Sequence, residues 1–264
     1  MKKIISLVVL ALVAVTVVPA KAAPVETIAV IDAYFNKSQL VGNFTEICVA
    51  DSGCASTPTA VANSNTTLTH GTIMAQIIAK NNPEALVVLI RSGSVVKSKL
   101  YQASAREIAN ALLAVPATAS AVSISIRNNG NGCRPTTANA PGNPIVNVSL
   151  ELSKTQQRIN DLVKSKIGVI AAAGNGSERD TLSVDYPACL PNVTAIAKAA
   201  GDGEARSQGI GNAELDIKVY PSVGLIGNFN TTSGITAAVA AKWNSIKSTI
   251  IPNSKQFVSL DVLN

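Results

Sequence analysis

The feature that most constrains this chain is a rhythm. Short runs of β-branched and small apolar residues recur between stretches with helical spacing. Residues 27–32 (TIAVID), 85–91 (ALVVLIR), 120–126 (SAVSISI), 145–150 (IVNVSL), 167–173 (IGVIAAA), 192–198 (NVTAIAK) and 215–219 (LDIKV) read as strands. Between them, 69–80 (THGTIMAQIIAK) opens on a Thr cap with apolar residues at helical spacing, and 100–115 is a helix stopped by Pro116. Residues 153–166 read as an amphipathic helix, and a last helix starts near 233. Near-continuous apolar strands suit a sheet covered on both faces, and parallel neighbours need crossover connections. The alternation therefore predicts an α/β fold: a doubly wound, mostly parallel sheet with helices on both faces. Such sheets bind ligands outside the carboxyl ends of their strands. That rule puts Asp32 and Asn175, which follow or end two of these runs, on one edge.

The chain opens MKKIISLVVLALVAVTVVPAKA, a secretory signal in form. Lys2 and Lys3 make the positive start, Ile4 to Val18 the apolar run, and Ala20-Lys21-Ala22 the cleavage site. That run falls short of the ~20 residues that span a bilayer, so cleavage after Ala22 is expected, with no stable membrane anchor afterwards. The expected organisation is a signal peptide over 1–22 and one domain over 23–264, secreted or periplasmic. No repeat or linker divides it. The net charge of +6 is spread along the chain, without the basic block or interleaved aromatics of a nucleic-acid binder. Four cysteines in an exported chain suggest two disulfides. Cys48 and Cys54 lie close enough for a short ring, with Cys133 and Cys189 left for a long one, although three connectivities are open. Their spacing matches no zinc pattern, so neither a metal nor another cofactor is expected.

The chain has one histidine. Acyl transfer by a serine needs a base near neutrality, and histidine is the usual one. His70 begins a helical segment, where its ring can face a cleft, and Gly71 removes bulk beside it. His70-Gly71-Thr72-Ile73-Met74-Ala75 resembles the base motif of subtilisin-like serine peptidases, H-G-T-x-[VM]-A. Ile28-Ala29-Val30-Ile31-Asp32 is similar to the strand that ends in the family's catalytic Asp. Ala171-Ala172-Ala173-Gly174-Asn175 matches the strand closed by its oxyanion Asn, and Tyr186-Pro187-Ala188 follows in place. Thr231-Thr232-Ser233-Gly234-Ile235-Thr236-Ala237-Ala238-Val239-Ala240 resembles the nucleophile motif G-T-S-x-A-x-P-x-V-A. The blocks stand in the order Asp, His, Ser and span roughly residues 27–245.

The resemblance implies a serine endopeptidase acting on peptides or proteins, with Asp32, His70 and Ser233 as triad and Asn175 as oxyanion donor. It also implies a substrate-binding strand, for which two stretches compete: Ser125-Ile126-Arg127-Asn128 and Ser149-Leu150-Glu151-Leu152. The first is preferred because it follows helix 100–115, which leaves the second to an inserted hairpin. Ser125, Ile126 and Arg127, with Gly174, are thus the expected substrate contacts. Several motif neighbours depart from the family pattern. Ala33-Tyr34 replaces Ser/Thr-Gly after the Asp, Thr231 a Gly, Ala237 a Pro, and the substrate strand lacks its Gly-Gly. With only a few residues between the cleavage site and the first strand, no folding propeptide is expected, and a separate inhibitor or chaperone is a candidate partner. The rival readings are a degenerate relative that binds peptides without cleaving them and an unrelated exported ligand-binding protein.

Overall fold

Asp32 ends the innermost kind of strand, one flanked on both sides by parallel partners and buried along its whole length. This is β1 (Thr27–Asp32) in a computed structural model that describes residues 25–55, 69–96, 99–100, 103–126, 148–174, 184–198, 217–220, 231–248 and 256–259. The remaining strands of the main sheet are β2 (Phe44–Cys48), β3 (Leu86–Arg91), β6 (Ala119–Ile124), β7 (Gly168–Ala172), β8 (Thr194–Lys198), β9 (Ile217–Tyr220) and β10 (Gln256–Ser259). Their order is β10-β9-β8-β7-β6-β1-β3-β2, and every ladder is parallel. A separate antiparallel hairpin pairs β4 (Val95–Val96) with β5 (Lys99–Leu100). The helices are α1 (His70–Asn81), α2 (Ala105–Leu113), α3 (Val148–Lys164), α4 (Thr232–Ala241) and the short α5 (Trp243–Ile246).

Alternation along the strands builds two cores. Ala29, Ile31, Val88, Ile90, Val122, Ile124, Val169 and Ala171 face the side covered by α2 and α3. Their neighbours Ile28, Val30, Val87, Leu89, Ala121 and Ile170 face the side covered by α1 and α4. The doubly wound α/β sheet expected from the sequence is the one observed. Helices start where side chains satisfy their first N–H groups. The Thr69 hydroxyl accepts from the Thr72 N–H, and Ser104 and Glu107 form a reciprocal capping box. The α3 face that meets the core repeats at Glu151, Thr155, Ile159 and Leu162, the spacing of one helical stripe. Helix α4 is buried nearly all round, and its small residues let it lie between the sheet and α1.

One expected element is overturned. The strand over 145–150 does not form as such: α3 already begins at Val148, while 145–147 lie outside the described residues. The inserted hairpin suggested for Ser149-Leu152 falls with it, because these residues form the first turns of α3. A short apolar run cannot separate helix from strand by itself, and here the stripe continuing through Leu162 decides. The helix expected over 100–115 starts at Ala105, after β5. The edge strands β2 and β10 were not expected. Cys48 and Cys54 form a disulfide with Cα atoms 5.9 Å apart. Cys189 is also disulfide-bonded, and its expected partner Cys133 lies outside the described residues.

Candidate active site

The order of strands puts β1 at the switch point of the sheet. The chain first adds β2 and β3 on one side of β1 and then β6 on the other, so the loops leaving β1 and β6 diverge. Crevices at such points are where doubly wound sheets hold ligands. Asp32 sits there, 1% exposed. One carboxylate oxygen, Oδ1, accepts the Ala33 N–H at 2.7 Å, and Oδ2 lies 2.8 Å from His70 Nδ1. A carboxylate can only accept, so Nδ1 carries the proton and donates it. The ring's Nε2 is then the basic nitrogen.

His70 reaches Asp32 because α1 begins against the exit of β1. A Cβ on Gly71 would stand 2.5 Å from the Tyr34 carbonyl oxygen, 2.9 Å from Asp32 Cβ and 3.0 Å from the Phe35 ring. Only a residue without a side chain allows this approach. Two threonines lock the contact. The Thr72 hydroxyl accepts the Asn36 N–H at 2.8 Å and lies 2.6 Å from the Thr69 hydroxyl, while Thr69 donates to the Tyr34 carbonyl at 3.3 Å. The loop after Asp32 is thereby tied to the first turn of α1. Sequence reasoning quoted Thr69 as a cap and Thr72 as part of a motif, but it missed these ties across 35 or 36 positions of chain.

Burial pushes the His70 imidazole down, but the charge of Asp32 and the hydrogen bond to it push harder in the other direction. The net effect raises it above the usual 6.5. Its side chain is 33% exposed, so the ring remains open to solvent or a ligand.

Ser233 is half-buried in the first turn of α4, which packs beside α1. The Thr231 hydroxyl caps this helix by accepting the Gly234 N–H at 3.3 Å. The residue that departs from the family's glycine is thus a good N-cap. The Ser233 N–H, two residues past the cap, has no acceptor within an α-helix and points out of its positive end. The start of α4 is tied to two neighbouring strand exits: Ser125 donates through Oγ to the Ser233 carbonyl at 3.3 Å, and Thr232 through Oγ1 to the Gly174 carbonyl at 3.4 Å. Of the expected substrate contacts, Ser125 and Gly174 therefore meet Ser233's helix, whereas the Ile126 side chain packs into the core under α2 and α3. Arg127 and Asn175 lie outside the described residues. Gly174 has φ +101°, and a Cβ there would overlap the Asp185 carboxylate.

A model of the subtilase family of peptidases matches residues 26–255. The chain belongs to the subtilase family. It is therefore a subtilisin-like peptidase of the serine type. The solved structures that share the fold include two proteases. The prenylagaramide maturation protease PagA has a TM-score of 0.53 at 18% identity, covering 86% of this chain and 78% of its own. A mutant of the protease domain of PatA has a TM-score of 0.50 at 14% identity, covering 85% and 81%. No curated protein matches this subtilase in sequence. Among its described residues, no helix is long and apolar enough to cross a membrane.

Proposed function

We propose that this subtilase is an exported endopeptidase that cleaves peptide or protein substrates through an acyl-enzyme, with Asp32, His70 and Ser233 as its triad. The observation that carries the reading is the 2.8 Å pair of His70 Nδ1 and Asp32 Oδ2 at the sheet's switch point. It fixes the tautomer that makes Nε2 a base, and it favours the imidazolium that forms during turnover. Ser233 Oγ attacks the scissile carbonyl while His70 takes its proton. The negative oxygen of the tetrahedral intermediate is held by the Ser233 N–H and the side-chain amide of Asn175. Collapse breaks the C–N bond, and His70 returns the proton to the leaving amine. Water then repeats the sequence on the ester and frees Ser233. Loss of one oxyanion donor costs on the order of 10²–10³ in turnover.

Export is part of the proposal, supported by the positive start, apolar run and small-residue cleavage site of residues 1–22. So is the single catalytic domain over 23–264. The test is incubation of the purified mature chain with an unstructured protein, with fragments read by mass spectrometry. New internal cleavage that disappears in Ser233→Ala is the expected result. An intact substrate beside folded wild-type protein contradicts the enzyme and leaves a peptide-binding relative in its place.

A further inference from the structure

Cys48 of β2, Arg91 of β3 and Asp32 of β1 stand in one row at the carboxyl edge of the sheet, as successive register partners in two parallel ladders. Arg91 ends an otherwise apolar run, LVVLIR, and is only 3% exposed. Taking a guanidinium out of water is costly, and an apolar residue would finish the strand without that cost. What Arg91 touches gives the charge a use.

On one side Arg91 holds the exit of β2. Its carbonyl accepts the Val49 N–H at 2.8 Å, and its Nη1 donates to the Cys54 carbonyl at 3.1 Å. The disulfide returns Cys54 to Cys48, the register partner of Arg91, and so keeps that carbonyl at the edge of the sheet. On the other side Arg91 holds the exit of β1. Its guanidinium carbon lies 4.9 Å from the centre of the Tyr34 ring, a cation–π contact. Tyr34 is two residues past Asp32, and its carbonyl accepts from the Thr69 hydroxyl and leaves no room for a Cβ at Gly71. Ser92 and Gly93, which follow Arg91, donate their N–H groups to the Asp32 and Ala33 carbonyls at 2.9 and 3.1 Å. Side chain and backbone of one short segment therefore fasten the loop that runs from Asp32 to the first turn of α1.

We propose that Arg91 is a positioning residue: anchored on the Cys54 carbonyl, its guanidinium holds the Tyr34 ring and, through it, the loop that sets Asp32 against His70. The proposal rests on the endopeptidase reading for the chemistry that this positioning serves. Arginine suits the task because its planar group stacks by its face on a ring while its edge donates to a carbonyl. Lysine carries the charge without the plane. The guanidinium acts through Tyr34 rather than on reacting atoms, so its loss should displace the base without weakening substrate binding. A displacement of about 1 Å at a reacting group can cost on the order of 10²-fold in rate.

The chain has one histidine, so the imidazole N–H signal in the proton NMR spectrum of the untagged mature protein belongs to His70. A proton held between Nδ1 and a carboxylate resonates far downfield and exchanges slowly with water. The test compares that signal, and kcat and KM on a peptide, in wild type, Arg91→Met, Tyr34→Leu, their double variant, and Tyr34→Phe, which keeps the ring. Arg91→Met and Tyr34→Leu should each broaden or lose the signal and lower kcat by about 10- to 10²-fold with little change in KM. The double variant should lose no more than the worse single, since both break one contact, and Tyr34→Phe should behave as wild type. Folded variants that keep the signal and kcat, with only a shifted urea midpoint, overturn the proposal. So do additive losses in the double variant, a Tyr34→Phe as impaired as Tyr34→Leu, or a wild type without the signal. A wild type that cleaves nothing, but whose signal disappears in Arg91→Met and Tyr34→Leu, supports the clamp and ends the endopeptidase reading. An active wild type with variants unchanged does the reverse. Should Arg91→Met not fold, the contrast of Tyr34→Leu with Tyr34→Phe decides the matter.

Discussion

Asp32 and His70 are 38 residues apart in sequence and share one hydrogen bond, so their consequences are measurable together. The imidazole is raised above 6.5, and a base must be neutral to act. The acid limb of a kcat/KM profile should therefore have its midpoint above 6.5. A midpoint at or below that value contradicts the pairing. The same shift has a sign for stability: a group raised on folding stabilises fully below its unfolded value, and the contribution disappears as pH rises through the folded one. Denaturation of wild type and His70→Gln should thus differ more at pH about 6 than at pH about 9. Asp32→Asn removes the acceptor that fixes the tautomer, and turnover should fall on the order of 10⁴-fold with little change in KM. Gly71→Ala sets a methyl against the Tyr34 carbonyl and Asp32 Cβ, with an expected cost of about 1–3 kcal/mol and a displaced imidazole. Urea midpoints and peptide turnover check the two effects. The contact of Asp32 with His70 was legible because each stands in a short motif. The ties from Ser125 and Thr232 that fasten the start of α4 were not, because their partners are distant in sequence and reached only through the fold.

Legibility at the scale of elements follows burial. The strands β1, β3, β6 and β7 are apolar along nearly their whole length and announce themselves. The edge strand β2 is only partly buried along FTEIC, so it carries neither a continuous apolar run nor a clean alternation. The start of α3 was misread because IVNVSL looks extended when taken alone. Glu151 and Thr155 on the buried stripe are polar, which hid the period that Ile159 and Leu162 continue. The start of α1 was better marked, since its Thr69 cap is local, whereas the cap of α2 was missed and its helix placed from 100. Ser104 is buried, and its hydroxyl accepts the Glu107 N–H at 3.1 Å while Glu107 returns the bond. Ser104→Ala should lower stability by about 1 kcal/mol, read as a shifted urea midpoint with an unchanged slope. No shift would mean that the box contributes nothing to α2.

At the scale of the molecule, the described residues form a parallel sheet between two helical layers, and the proposed site lies where the sheet changes direction of growth. Alternation of apolar runs with helical segments was enough to read that architecture. The order of strands was not legible from periodicity alone, because crossover length does not say on which side a strand returns. One covalent tie lies at the same edge: the Cys48–Cys54 ring encloses Asp51, which pairs with Arg106 at 2.6 Å and donates its N–H to Glu107. Cys48→Ser with Cys54→Ser should lower stability by about 2 kcal/mol, the ring-closure value for so short a loop, as measured by equilibrium unfolding. The central claim concerns Ser233, and the most direct measurement is reaction of the folded mature chain with a fluorophosphonate. The account predicts a single adduct, mapped by mass spectrometry to Ser233, absent in Ser233→Ala and strongly slowed in Asp32→Asn. Folded wild-type protein that takes up no reagent, or takes it up at another residue, would contradict it.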